Sequence, residues 1–207
     1  WYNTTSNVLK GQAATTAGAW ATGGTLNTAR YMGGSSVSGT QSAALFFGGL
    51  TVPPVTAVTE SYNGSSWTEV NDLNTARYTT GAGTYTSALA MGGGTPPITA
   101  ITELWNGTNW TEVNDMNSPR KQAGGSGADN TACLVFGGAG GSPTTAVTET
   151  WNGTNWTEVN DLNTARSYIA GNGTNTAALA TGGYVTNPVA NTETWNGTNW
   201  TEVNDLN

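Results

Sequence analysis

The sequence predicts an all-β fold built from repeated four-stranded antiparallel sheets, and three observations carry that expectation. The phrase WNGTNWTEVNDLN stands at residues 151–163 and again at 195–207, with near copies at 105–117 and 62–74. The copies keep a regular period: Trp20, Trp67, Trp110, Trp156 and Trp200 are spaced 47, 43, 46 and 44 residues apart. Gly, Thr, Asn and β-branched residues dominate, and no apolar 3.6-residue period runs through the units, so helix is disfavoured.

Each unit subdivides in the same way. From that Trp to the Arg of NTAR or NSPR (Arg30, Arg77, Arg120, Arg166) is always 10 residues, and from the Glu of the preceding TE (Glu60, Glu103, Glu149, Glu193) to the Trp is always 7. The length variation sits between Arg and the Gly-Gly pair and between Gly-Gly and Glu. Four strands fit this frame. Strand a follows the Arg. Strand b is the apolar run SAALFFGG, SALAMGG, TACLVFGG or TAALATGG, whose lack of alternation predicts burial on both faces. Strand c is AVTESY, AITELW, AVTETW or ANTETW, and strand d is WTEVNDL. Between c and d lies an Asn-Gly dipeptide, which favours a tight hairpin because both residues tolerate positive φ. Three hairpins per unit at this period describe one propeller blade, and stacked copies bury each other's faces. The expected organisation is a single domain over 1–207, with units 27–73, 74–116, 117–162 and 163–207 behind an N-terminal partial blade, 1–26. A five-bladed ring follows, with a four-bladed ring carrying an N-terminal extension, or an open array continuing into another chain, as alternatives.

Charge is scarce: 9% of residues are charged, against about 25% in ordinary soluble domains. Hydroxyls and amides must solvate the surface, which suits an extracellular or virion protein. The net charge is −7 with only six Lys and Arg, and that excludes the basic stripe a nucleic-acid partner needs. No apolar run reaches the roughly 18 residues of a membrane span, so no membrane insertion is expected. The chain opens at Trp1 without a visible signal peptide, which reads as a processed, trimmed or fragmentary product.

Gly-Gly ending the second strand, an aromatic on the third and a Trp soon after resemble the kelch repeat. In one unit these are Gly92-Gly93, Trp105 and Trp110, and four complete units cover 27–207. The wording LNTAR followed by TAALA and GG is also similar to kelch-like repeats of marine phage structural or tail proteins. The resemblance implies a propeller and leaves function open, since propellers host many activities.

No His is present, so His-dependent triads and His-ligated metals are excluded, including the copper site of kelch-type oxidases. Twelve of the thirteen acids occupy repeat positions, and only Asp129 falls outside. Catalysis needs an asymmetric constellation, whereas periodic acids point to periodic structural roles. The expectation is Arg–Glu pairing between strands or blades, with Asp72, Asp115, Asp161 and Asp205 supporting the d–a turn. The Asn-Gly hairpins also resemble the Asp-box of sialidase-type propellers, but the arginine cluster of that chemistry is missing. No catalytic residues, metal or cofactor are expected. Cys133 reads as a small buried hydrophobe, and the N-x-S/T triplets at Asn63, Asn106, Asn152 and Asn196 as turn chemistry.

The expected function is a non-catalytic binding or adhesion module whose partner is a glycan or a cell-surface or virion protein. The alternative is a structural protein that decorates or builds a viral particle or filament, with homo-oligomerisation; a hydrolase is more distant. Candidate binding residues lie in the b–c loops, where length varies and prolines pre-order the backbone: Pro53, Pro54, Pro96, Pro97, Pro143, Asn187 and Pro188. The a–b loops, with Tyr85, Asp129, Asn130 and Asn172, are the less favoured face. A further set is the paired aromatics Tyr62 and Trp67, Trp105 and Trp110, Trp151 and Trp156, Trp195 and Trp200, either as packing pairs or as sugar-stacking platforms.

Overall fold

The computed structural model describes residues 23–52, 54–94, 96–141 and 143–207, together with two short strands, β1 (Tyr2–Asn3) and β2 (Val8–Leu9), which pair antiparallel. The described residues form strands and turns and no helix. Blade 1 comprises β3 (Gly34–Ser35), β4 (Ala44–Phe47), β5 (Thr59–Tyr62) and β6 (Trp67–Val70). Blade 2 comprises β7 (Tyr78–Thr84), β8 (Ser87–Gly94), β9 (Ile98–Trp105) and β10 (Trp110–Val113). Blade 3 comprises β11 (Gly124–Asp129), β12 (Ala132–Phe136), β13 (Thr148–Trp151) and β14 (Trp156–Val159). Blade 4 comprises β15 (Ala170–Gly173), β16 (Ala178–Thr181), β17 (Thr192–Trp195) and β18 (Trp200–Val203). Each blade is an antiparallel sheet with its strands in chain order, as the a-b-c-d frame predicts.

Four blades, not the expected five, are present among the described residues. A unit takes about 45 residues, and the 26 that precede the first unit are too few for four strands. Trp20 and most of the expected partial blade lie outside the described residues.

The core lies between blades. Strand b explains why: in β8, Leu89 and Met91 point toward blade 3, against Cys133, Val135, Trp151 and Trp156, while Ala88 and Ala90 point toward blade 1, against Leu45, Phe47 and Leu73. Blade 3 meets blade 4 in the same way, with Leu134, Phe136 and Leu162 against Ala178, Ala180, Trp195 and Trp200. Each of these three interfaces thus sets a back face of large side chains against a front face of smaller residues flanked by two indoles. Large against small fills the space at interior density.

Glycine sets how closely blades approach. A Cβ on Gly81 would meet the Ser35 carbonyl at 2.3 Å, one on Gly125 the Gly81 carbonyl at 2.5 Å, and one on Gly171 the Gly125 carbonyl at 2.3 Å. The a strands therefore adjoin in succession, β3 to β7 to β11 to β15. The array curves: Ser38 Oγ in blade 1 donates to the Gly127 carbonyl in blade 3 at 2.7 Å, and all four a strands wall a common cavity.

Candidate functional site

The Arg of each unit and the Glu of strand c are held inside each blade, while Glu69, Glu112, Glu158 and Glu202 of strand d are exposed. Glu103, on strand c, accepts from the Asn74 N–H at 2.7 Å, the Asn74 amide at 2.8 Å, the Thr75 N–H at 3.2 Å and the Arg77 guanidinium. The same clasp joins Glu60 to Asn27 and Arg30, Glu149 to Asn117 and Arg120, and Glu193 to Asn163 and Arg166. All four ion pairs are buried. Burial raises the pKa of Glu60, but the bonds from Arg30, Asn27 and Thr28 outweigh it and hold the carboxyl below its ordinary value. Asp72, Asp115, Asp161 and Asp205 follow strand d and each accept a backbone N–H of strand c, from Thr59, Thr102, Thr148 and Thr192. They bond side chain to backbone as expected, but they tie the d–a connection to strand c rather than bracing the turn alone. Asp129 accepts from the Thr131 hydroxyl and N–H, which close the β11–β12 hairpin and lower its pKa. Burial pushes the Cys133 thiol far above its ordinary value, and Sγ donates to the Asp129 carbonyl.

The c–d hairpins are turn chemistry as well. Asn106 Oδ1 accepts from the Thr108 and Asn109 N–H groups, and Gly107 adopts φ +92°. The paired aromatics of blades 2 to 4 are buried, from Trp151 at 1% exposure to Trp156 and Trp200 at 6%. Each pair packs with centroids 5.3–5.4 Å apart, and the strand-d indoles donate across to the neighbouring blade. Their faces serve packing. Tyr62 and Trp67, at the front of blade 1, are half-buried.

The b–c loops are exposed at Pro54, Pro96, Pro97, Pro143, Asn187 and Pro188, and Pro53 lies outside the described residues. Bridges between Tyr31 and Leu50, Lys121 and Ala139, and Ser167 and Tyr184 tie these loops to the entrances of strand a. The b–c loops and the strand-a entrances therefore share one end of the molecule. The prolines of different blades do not converge on a single pocket. Pro143 lines a small cavity of about 370 Å³ in blade 3, beside Arg120.

A concavity of about 600 Å³ lies between the a strands, inside the range of roughly 300–1,000 Å³ usual for small-molecule sites. Its walls carry Ser, Thr, Tyr, Gln, Asn and backbone groups beside Met32, Val37 and Ile169, and no charged side chain among the described residues. Met32, Gln122 and Tyr168, each two residues after the Arg of its unit, line it with φ of 57°, 56° and 56°. A left-handed conformation costs a non-glycine residue on the order of 1–2 kcal/mol, so the surrounding structure must hold all three in place. Gln122 and Tyr168 lock together: the Gln122 amide donates to Tyr168 Oη at 2.7 Å, and the Tyr168 N–H to the Gln122 carbonyl at 2.7 Å. Tyr168 is 58% exposed and packs edge-on to Tyr184, brought there by the blade 4 b–c loop. Asn172, from the less favoured a–b set, lines the same cavity.

Sequence reasoning passed over Met32, Gln122 and Tyr168. One signal was available: the phrase LNTAR is nearly invariant, and the units diverge immediately after it, as Tyr31-Met32, Tyr78-Thr79, Lys121-Gln122 and Ser167-Tyr168. No protein-family model matches the chain, and no curated protein matches it.

Proposed function

We propose that the chain is a non-catalytic binding module of an extracellular or virion surface, a kelch-like β-propeller whose blades belong to a closed ring of five. Its ligand is a neutral, hydroxyl-rich molecule, a glycan, taken at the b–c end of the axial cavity. The observation that carries this reading is the cluster of three strained, non-glycine residues around an uncharged concavity. Exposed Tyr168 and Tyr184 supply ring faces for sugar C–H surfaces, and Gln122 and Asn172 supply amide groups for hydroxyls. The clasp Glu and turn Asp sets are taken up in structural bonds, and the remaining repeated set, Glu69, Glu112, Glu158 and Glu202, is exposed on strands d and lines no part of the cavity. The test is a glycan array probed with the native chain and with Tyr168→Ala, which removes an exposed ring. Loss of binding on the order of tenfold or more, with an unchanged melting temperature, supports the reading. Equal binding by both chains overturns the cavity site.

Burial of the six indoles in blades 2 to 4 favours a second reading, a structural protein that decorates or builds a particle. In that case the array shows no glycan binding, and electron microscopy of the native assembly shows ordered chain–chain contacts.

A further inference from the structure

The internal blade interfaces repeat the same contacts. The second Gly of each Gly-Gly pair donates to the Arg carbonyl of the next blade: Gly49 to Arg77, Gly93 to Arg120 and Gly138 to Arg166, at 2.8–2.9 Å. The strand-d indole donates back to a threonine of the preceding blade: Trp110 to Thr59, Trp156 to Thr102 and Trp200 to Thr148, at 3.0–3.1 Å. An Asn amide bridges the hairpins, Asn71 to Asn109, Asn114 to Asn155 and Asn160 to Asn199. A large residue after strand d, Leu73, Met116 or Leu162, is 4% exposed in each case.

No fourth copy of these contacts joins blade 4 to blade 1 among the described residues. Leu206 stands where Leu73, Met116 and Leu162 stand, yet it is 56% exposed. Thr181 takes the place of Phe47, Met91 and Phe136, and its Oγ1 is buried without a hydrogen-bond partner among the described residues. Leu179 is half-buried where Leu45, Leu89 and Leu134 are at most 1% exposed, and a shallow hollow of about 420 Å³ opens over it. On the other side of the seam, the front of blade 1 leaves Ala44, Phe46, Tyr62 and Trp67 half-buried. Ser35 replaces the glycine that elsewhere lets a neighbouring a strand close in, and it is exposed. Part of a preceding blade is nevertheless in place. A Cβ on Gly23 would lie 3.1 Å from Tyr62 Oη, and one on Gly24 2.5 Å from the Ser65 carbonyl. Asn27 donates to Glu60 and the Trp67 carbonyl just as Asn74 donates to Glu103 and the Trp110 carbonyl. Residues 23–26 thus sit where the end of a strand d belongs, without strands a, b and c beside them among the described residues.

We infer that the seam between blade 4 and blade 1 receives the a, b and c strands of one further copy of this repeat, completed by residues 23–26, which already lie where a strand d ends. This rests on the ring reading above. The occupant is a polypeptide segment of defined chemistry. Its Arg carbonyl accepts the Gly183 N–H, its small strand-b residues and strand-c aromatic cover Leu179 and Leu206, and its own large strand-b residues lie on Ala44 and Phe46. Continuity with the existing interfaces specifies it, because each face at the seam, apart from Thr181 and Ser35, carries one half of a contact set already made elsewhere.

The test uses the full chain and a synthetic peptide of its own residues 163–199, which carry strands a, b and c. A second arm attaches the same segment covalently after Asn207. Hydrogen–deuterium exchange reads both faces, and native mass spectrometry reads stoichiometry. The expected result is a 1:1 complex with new protection at Thr192 and Val203–Leu206 and also at Tyr62–Trp67, and Leu206→Asp weakens it on the order of tenfold or more. Protection confined to blade 4 overturns the ring. Protection at neither face in either arm, with the attached segment removed by trypsin, overturns the occupant. Dimerisation of the chain with the same protection but no bound peptide overturns it in favour of a second copy.

Discussion

Glu60 shows how a polar residue becomes structural. Its two oxygens accept from Asn27, Thr28 and Arg30, and its side chain is fully buried. Glu60→Gln removes the charge and leaves the Arg30 guanidinium buried without its partner, at a cost of about 3–5 kcal/mol, read from urea unfolding at neutral pH. The pKa of Glu60 is depressed in the fold, so its contribution is complete above the ordinary carboxylate pKa of 4.5 and is lost as the pH falls through the lower, folded value. The native chain therefore loses stability on acidification where Glu60→Gln shows a flatter profile. Arg120 is the exception among the clasps. In the other units the guanidinium donates to the carbonyl of Thr28, Thr75 or Thr164, whereas Arg120 Nε and Nη1 are buried without a partner among the described residues. Burial pulls its pKa down, against the pull of Glu149. Pro119 stands where the other units carry Ala, and proline restricts the residue before it toward extended geometry, which is the sequence difference that fits the missing bond to the Ser118 carbonyl. Pro119→Ala restores the NTAR geometry and is expected to stabilise the chain by about 1–2 kcal/mol, once the entropy proline removes from the unfolded state is subtracted. Chemical unfolding of the two chains measures it.

At the scale of the element, identical wording meets different surroundings. Trp156 is 6% exposed, packs on Trp151 and bonds to Thr102 across the blade interface. Trp67 occupies the same repeat position but stands half-buried at the front of blade 1. Trp156→Ala is expected to cost about 3–5 kcal/mol, and Trp67→Ala well under half of that, in parallel thermal and urea unfolding. The strands themselves were legible, because WTEV, the Gly-Gly pairs and the Asn-Gly turns each impose local geometry wherever they occur. The candidate site was not. The a strands touch at Ser35, Gly81, Gly125 and Gly171, which lie five, four, five and five residues beyond their Arg. The units with five must accommodate the extra residue by turning Met32, Gln122 or Tyr168 left-handed, and blade 2, with four, has no such residue. That register exists only once the contact points are known, so no spacing in the sequence displays it. The b–c loops were legible as an exposed face but not as neighbours of the strand-a entrances that line the cavity, because that link runs through backbone bridges that any residue can make.

For the whole molecule, stability follows neighbours. Strands β8 and β12 are covered on both faces by other blades, while β4 and β16 each have one side turned to the seam. Local opening is cheapest where fewest apolar contacts must break. Amide exchange is therefore expected to be slowest in β8 and β12 and faster in β4 and β16. Uniform rates across the four strands would contradict this account.

The clasps also bear on how the chain finds its fold. Arg30 and Glu60, Arg77 and Glu103, Arg120 and Glu149, and Arg166 and Glu193 are 30, 26, 29 and 27 residues apart. Each clasp closes a loop of modest and nearly equal length, and loop-closure entropy grows only slowly with length. No blade holds a kinetic privilege over the others, and none must await the far end of the chain to fasten itself. Nucleation can begin in any unit and spread to either side, so the time to reach the native state is set by docking one fastened blade on the next rather than by a single long-range search.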